Sequence, residues 1–366
     1  MSQDRSQRKL TRRTFLGSLV AGLFAGGAAG VERDKGWGSA SAGRDERRIR
    51  DRGLEETGME KTVLSFYVDD TSPYGVPSGT FKRFLDFVSA EGIRGESSVI
   101  LGMGAESDGP LSRPTTDLQR AYIEELHRAF DCGIDSQMEL MTHGGLYDFE
   151  THRAPEGAIH EGLWLHEPGN SVEIYEAYLG SIIAEGERIG VRFTGMTWPG
   201  CSCEACERRY AELRAAGSPD VNPNVWQALL NLAKRGKFRG RTVPCFADDG
   251  SGRHRTALMA GDGEYGVYDL VPNAGDHFGI WENNPDRVDA DYYITEDGES
   301  GRIVELVRDG APYCLFYAHW QGLNPARGVG WNAFTQVIRR IQRYLGEQVV
   351  WMRPSEYTDA LHGRQG

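Results

Sequence analysis

From Lys61 to the C-terminus, short apolar strand-like runs alternate with amphipathic helix-like runs, and that alternation narrows the fold more than any other feature of the chain. "TVLSFYV", "SSVILG", "SQMELMTHG", "RFTGMTWPG", "RTVPCFA", "YGVYDL", "DADYYIT", "PYCLFYAHW" and "VVWMRP" carry the β-branched and aromatic residues of buried strands. Between them lie helical patterns such as "TTDLQRAYIEELHRAFDCG", where Leu118, Tyr122, Leu126 and Phe130 recur at four-residue spacing. Strand–helix units repeated about seven times predict a parallel sheet wrapped by helices, in class an α/β protein and in architecture a (β/α) barrel over residues 61–362. In such barrels, chemistry collects where strands end.

Polar residues follow that rule here. "KTVLSFYVDDTSPYG" places Asp69 and Asp70 directly after the first strand. Two neighbouring carboxylates at a partly desolvated strand end repel each other, and a cation or a shared proton relieves the repulsion. The alternative is an ordinary turn, with one aspartate capping and the other solvated. His143 ends the third strand, "TWPG" the fourth and His319 the strand "PYCLFYAH". Glu139 sits two positions before Met141 on the third strand and is expected to face inward, as an acid, a support for a ligand, or half of a salt bridge. Asp248 and Asp249, in "CFADDG", read as a turn.

The first thirty residues are expected to lie outside the fold. A basic start, an apolar Gly/Ala-rich stretch from Phe15 to Ala29 and small residues at its end make a signal peptide, too short and glycine-rich for a membrane span. Within it "TRRTFLG", with Arg12, Arg13, Phe15 and Leu16, resembles the twin-arginine export signal. That implies folding before export, with the twin-arginine machinery as a partner and a periplasmic, cell-surface or extracellular destination. Residues 31–60 are charged and rich in Gly and Ser, with no apolar period, and read as a flexible linker.

The chain carries a formal charge of -12; five basic and one acidic side chains in the first thirty residues leave the remainder at -16. Such a surface repels nucleic acid and offers anionic membranes no basic patch, while neutral or amino-bearing polymers are compatible with it. Six cysteines in 366 residues do not make a disulfide framework. Three cluster in "GCSCEACERRY". Cys201, Cys203 and Cys206 have the spacing of a structural zinc site completed by Cys245 or a histidine, and equally that of one local disulfide with a spare thiol.

Taken in order, the strand-end motifs resemble those of NodB-type polysaccharide deacetylases, carbohydrate esterase family four, over most of residues 61–361. "FYVDD" is similar to the family's base-and-ligand pair, "THGGLYDF" to the motif that supplies metal-binding histidines, "TWPG" to a groove-lining turn, and "CLFYAHW" to the strand bearing the acid histidine. "VVWMRPSEYTDAL" looks like the closing strand and helix. The resemblance implies the distorted seven-stranded deacetylase-type barrel and a hydrolase that removes acyl groups, chiefly acetyl, from a carbohydrate polymer or oligosaccharide. It makes Asp69 the base and His319 the acid. Asp70 and His143 would bind a divalent metal, zinc being expected. Where the second histidine should stand, four residues after His143, the chain has Tyr147; Asp148 is the expected third ligand, with His152 as alternative. Tyr147, Trp198, Pro199 and Trp320 are the expected substrate contacts, the rings by stacking on sugars.

Two other functions fit the residues. Barrels with strand-end carboxylates also cleave glycosidic bonds, and Glu139 with Glu296 or Asp249 would form such a pair. Loss of the second histidine also fits a barrel that binds glycans without catalysis.

Overall fold

The computed structural model describes residues 60–102, 109–200, 204–215, 221–247 and 256–365. The expected signal peptide (1–30) and nearly all of the linker (31–60) lie outside the described residues, as do Cys201, Cys203, Asp248 and Asp249. No helix among the described residues is long and apolar enough to cross a membrane.

Alternation of strand and helix holds through most of the chain. β1 (Thr62–Thr71) leads to α1 (Thr80–Glu91), β2 (Gly95–Val99), α2 (Asp117–Ala129) and β3 (Ile134–Met138). The short α3 (Glu161–Trp164) and long α4 (Val172–Arg188) precede β4 (Gly195–Thr197), and α5 (Glu204–Ala215) and α6 (Pro223–Lys234) precede β5 (Thr242–Phe246). A hairpin of β6 (Ala257–Gly261) and β7 (Gly266–Asp269) follows, then α7 (Arg302–Arg308), β8 (Tyr313–His319), α8 (Trp320–Leu323), α9 (Trp331–Leu345), β9 (Val349–Trp351) and α10 (Pro354–Gln365). Capping chemistry sets several boundaries. At the start of α2, for example, the Gln119 N–H donates to Thr116 Oγ1 while the Thr116 N–H donates to Gln119 Oε1, a reciprocal box.

One mixed, curled sheet runs in the order β6-β7-β5-β4-β3-β2-β1-β8, with β9 added to β1. Every pairing is parallel except β6 with β7. The expected closed seven-stranded barrel is therefore corrected to a half-barrel: no ladder joins β7 to β8. An isolated parallel bridge, Ala274 to Phe316, spans the gap. The physical reason is Asn273, whose side-chain amide donates to the Tyr313 carbonyl (2.9 Å) and accepts from the Leu315 N–H (2.9 Å). A side chain thus does the work of a strand edge, and the "VPNAGDH" segment has no need to extend along β8. "DADYYIT", expected as a strand, is a turn instead: Tyr293 stacks flat on Phe278 (4.5 Å between centroids) and donates to the Gly275 carbonyl.

β1 is buried along all ten residues, as a strand covered on both faces must be. Its outward side chains, Leu64, Phe66 and Val68, join the large core beneath the helices. There Phe66 packs edge-on against Phe84 and Phe334 at centroid distances of 6.0 and 5.7 Å. Burying an aromatic of this kind contributes roughly 1.5–3 kcal/mol. Val63 and Tyr67 point the other way, into a second cluster with Phe246, Leu270, Tyr313, Leu315 and Tyr357 that fills the barrel interior. α10 plugs the end of that interior where the strands begin, through Ser355 on Asp135 and Thr358 on Thr242. The opposite end, where β1, β3 and β8 finish, is where the chemistry gathers.

Candidate metal centre

Period two along β1 points Asp69 inward, beside Tyr67, and would point Asp70 out into the helical core. A break in register between Val68 and Thr71 prevents this: Asp70 takes a left-handed conformation, φ 62°. The kink turns the Asp70 carboxylate back toward the interior, so both aspartates face one site. The Asp70 N–H donates to Ser98 Oγ (3.0 Å) and Glu139 Oε2 (3.2 Å), which fixes the kink to β2 and β3. A non-glycine residue held at positive φ stores strain, and Leu140 (φ 49°) and His143 (φ 53°) do so on the facing segment.

At this point three side-chain atoms converge. His143 Nε2 lies 3.1 Å from Glu139 Oε1 and 3.5 Å from Asp70 Oδ1, and the three ligand atoms all fall within 4.8 Å of one another. Glu139 is fully buried and Asp70 nearly so, while the His143 side chain is 26% exposed, which leaves the group one open side. Asp70 Oδ1 and Glu139 Oε1 are both buried and face no donor other than the His143 imidazole. Their partner oxygens are satisfied, Asp70 Oδ2 by Gln321 Nε2 (3.0 Å) and Glu139 Oε2 by the Asp70 N–H (3.2 Å). Two buried carboxylates that each turn one oxygen toward the same imidazole nitrogen, with no other donor, fit a divalent cation in donor type and spacing.

The electrostatics agree. Burial and then the Asp69 charge raise the Asp70 pKa, and burial with the two aspartates raises that of Glu139 well above the carboxylate range. For His143, burial alone would lower the pKa, but Glu139 and Asp70 outweigh it and hold the ring up at about 10. A proton on His143 thus occupies the position of the positive charge that the carboxylates demand.

The flank of the site holds a second linked set. Asp69 accepts from Ser98 Oγ on one oxygen (2.9 Å) and from the Tyr317 hydroxyl on the other (3.3 Å). Tyr317 lies 2.7 Å from His319 Nε2, and His319 Nδ1 lies 2.8 Å from Asp276 Oδ2, which also accepts the His319 N–H. Burial lowers the His319 pKa, yet the hydrogen bond to Asp276 and the Asp69 charge produce a net rise. An unbroken chain of hydrogen-bonding contacts therefore runs from Asp276 through His319 and Tyr317 to Asp69.

Of the residues singled out in the sequence, Asp69, Asp70, His143 and His319 come together. Asp148 does not: its exposed carboxylate closes a local turn on Thr151 Oγ1 and the Glu150 and Thr151 N–H groups. Nor does His152 join the cluster of ligand atoms; Glu139, from the strand before His143, takes the third position. The ring contacts expected for substrate are corrected too. Trp320 is buried edge-on against Phe81 and Phe84, Trp198 packs on Trp226 at 4.9 Å, Tyr147 is buried beside Phe149, and Pro199 is also buried. Cys206 is disulfide-bonded, and a cystine sulfur is no thiolate ligand, so the expected structural metal loses that member; Cys245 is a separate buried free thiol. Glu296, half of the alternative glycosidase pair, is exposed on a distant loop, where its carbonyl accepts from Tyr344.

Ser98, Tyr317, Asp276 and Gln321 were not singled out from sequence. Period two flags the first two, since Ser98 follows inward Glu96 and Tyr317 precedes inward His319. Asp276 sits on the loop after β7 and Gln321 in the one-turn helix α8, and neither gave a signal.

No family model and no curated protein matches the chain. Among solved structures it is similar to a T48 deacetylase with substrate, at 10% identity and a TM-score of 0.37, covering 83% of this chain and 92% of the other. It is likewise similar to a 4-alpha-glucanotransferase from Thermococcus litoralis, at 10% identity, a TM-score of 0.45 and coverage of 82% and 40%. A pneumococcal StrH structure gives 11% identity, a TM-score of 0.40 and coverage of 80% and 85%. At these scores the chemistry has to be assigned from the residues.

Proposed function

We propose that the protein is a metal-dependent hydrolase that removes acyl groups, chiefly acetyl, from a carbohydrate. The observation that carries this is the convergence of Asp70 Oδ1, Glu139 Oε1 and His143 Nε2, the two buried oxygens facing no donor but that imidazole, beside a base–acid pair. Asp70, Glu139 and His143 would hold the ion, which when bound supplies Lewis-acid polarisation of a carbonyl. Asp69, oriented by Ser98 and Tyr317, takes a proton from the attacking water. His319, kept charged by Asp276, gives a proton to the leaving nitrogen or oxygen. Tyr317 spans the two and holds base and acid at fixed separation. The carbohydrate part of the reading rests on the resemblance of the strand-end motifs, and zinc remains the first ion to try on the same ground. Export through the twin-arginine route belongs to the same proposal and rests on Arg12, Arg13, Phe15 and Leu16.

The test is acetate release from an acetylated oligosaccharide series, with metal content measured in parallel. Activity that a chelator abolishes, a divalent ion restores and Asp70→Asn removes supports the reading. A protein that holds no ion at any concentration tried and releases no acetate overturns it.

A further inference from the structure

His143 does not hold its strained conformation alone. The chain after β3 reverses through residues 140–145, and three successive N–H groups of that turn, those of Met141, Thr142 and His143, point at one buried carboxylate. That carboxylate is Glu161, the first residue of α3, and it is fully buried. Its Oε1 accepts from Met141 (3.1 Å) and its Oε2 from Thr142 (2.9 Å) and His143 (3.0 Å). A fourth donor, the Tyr178 hydroxyl of α4, completes it at 2.5 Å on Oε1.

The backbone is built to deliver this carboxylate. Residues 145 and 160 form an antiparallel bridge, and the Glu161 N–H donates to the Gly144 carbonyl at 2.6 Å. Gly162 permits the approach, since a Cβ there would lie 2.5 Å from the Pro199 carbonyl oxygen. A row of convergent N–H groups is an anion-binding nest. Here an internal side chain fills it, and the residue that closes the nest carries the imidazole.

We propose that Glu161 is a positioning residue for the metal centre: it locks the turn in the conformation that aims His143 Nε2 at Asp70 and Glu139, and so sets the ion affinity without touching the ion. This inference rests on the metal reading above. A turn without the carboxylate leaves three buried donors unsatisfied and frees His143 to leave the positive-φ region, so the ligand set must be reassembled at each binding event. Outer-shell partners of this kind are worth about 10–100-fold in metal affinity.

Titration of the full chain with Co2+, read by its visible absorption, tests the inference in wild type, Asp70→Asn, Glu161→Ala and Tyr178→Phe. Expected are a wild-type spectrum that Asp70→Asn removes and a Glu161→Ala affinity about 10–100-fold weaker. Added formate, a carboxylate small enough for the vacated nest, is expected to restore part of that affinity. Tyr178→Phe, which removes one donor and leaves the backbone nest filled, is expected to weaken binding about five-fold. A wild-type protein without a Co2+ spectrum that depends on Asp70 overturns the metal reading, and this inference with it. Asp70-dependent binding that Glu161→Ala leaves unchanged, or weakens with no recovery in formate, overturns the positioning role alone. If Glu161→Ala does not fold, Tyr178→Phe decides: unaltered affinity overturns the inference and the expected weakening supports it.

Discussion

Asp69 and His319 are register partners across β1 and β8, directly opposite one another on adjacent parallel strands, with Tyr67 and Tyr317 paired one inward step below. His319 Nε2 and Asp69 Oδ2 stand 4.0 Å apart, and the Tyr317 hydroxyl contacts both. A sheet register therefore sets the separation of the proposed base and acid, so it does not depend on loop conformation. Asp276, on the loop after β7, is the adjustable member, since it alone fixes the distal nitrogen of the imidazole.

Asp276→Asn is expected to lower the His319 pKa by removing the carboxylate that outweighs burial. A general acid must be protonated, so the rate falls as pH rises through that pKa. In the variant the fall moves to lower pH, by one to two units on the usual scale for a lost ion pair. Profiles of kcat against pH for both proteins check this. An alkaline limb that stays in place would show that His319 is not the acid.

Glu139→Gln is expected to separate function from stability. Burial and the neighbouring Asp69 and Asp70 raise the proton affinity of Glu139, so a neutral residue in its place removes the cost of burying a third carboxylate in the metal-free chain. Glutamine still accepts from the Asp70 N–H. Urea unfolding without metal should show a variant more stable by about 1–2 kcal/mol, while ion affinity falls at least 100-fold. A metal-free variant less stable than wild type would contradict the account of the site as electrostatically strained.

Trp320 follows His319 directly and invites a reading as a sugar platform, but its ring is 2% exposed and wedged between Phe81 and Phe84. Trp320→Ala should cost about 3–5 kcal/mol in urea unfolding, the usual range for a large buried aromatic. Trp320→Phe, which keeps most of the packing, should retain both fold and substrate affinity. A Phe variant of normal stability that has lost substrate binding would restore the platform reading.

Much of the fold was legible because burial on both faces of a parallel strand leaves a short apolar run, and β1, β5 and β8 carry one. The strand-end aspartates and histidines were legible for the same reason, being polar residues that interrupt such runs. Glu139 drew suspicion from period two, but its convergence with Asp70 and His143 depends on the kink at Asp70, which no residue in "VDDT" announces. The expected third ligand, Asp148, lay at a natural sequence distance from His143, yet a turn satisfied by its own backbone takes it away. Barrel closure was misjudged at Asn273, where a side chain substitutes for ladder pairing. Ring burial at Trp198 and Trp320 was hidden as well, since a sequence does not say whether an aromatic at a strand end turns into the core or over the rim.

Asp135 offers a pH test independent of the active site. It points into the strand-start end of the barrel, where it accepts the Ser355 N–H (2.8 Å) and hydroxyl (2.9 Å), with Arg353 Nε 4.0 Å away. Burial pushes its pKa up from 3.8 to about 6 despite those partners. The folded chain therefore holds this proton more tightly than the unfolded chain. Below pH 3.8 both states are protonated and the residue costs nothing. Between 3.8 and about 6 the unfolded state ionises first, so stability falls as pH rises, and above 6 the full cost of about 3 kcal/mol applies. Asp135→Asn cannot titrate, and every other group cancels in the comparison. Wild-type stability minus that of Asp135→Asn, from urea unfolding at pH 4 and pH 7, should thus drop by about 2 kcal/mol on going to the higher pH, part of the cost being present already at pH 4. A difference that is flat across that range would mean that Ser355 and Arg353 compensate the buried charge in full.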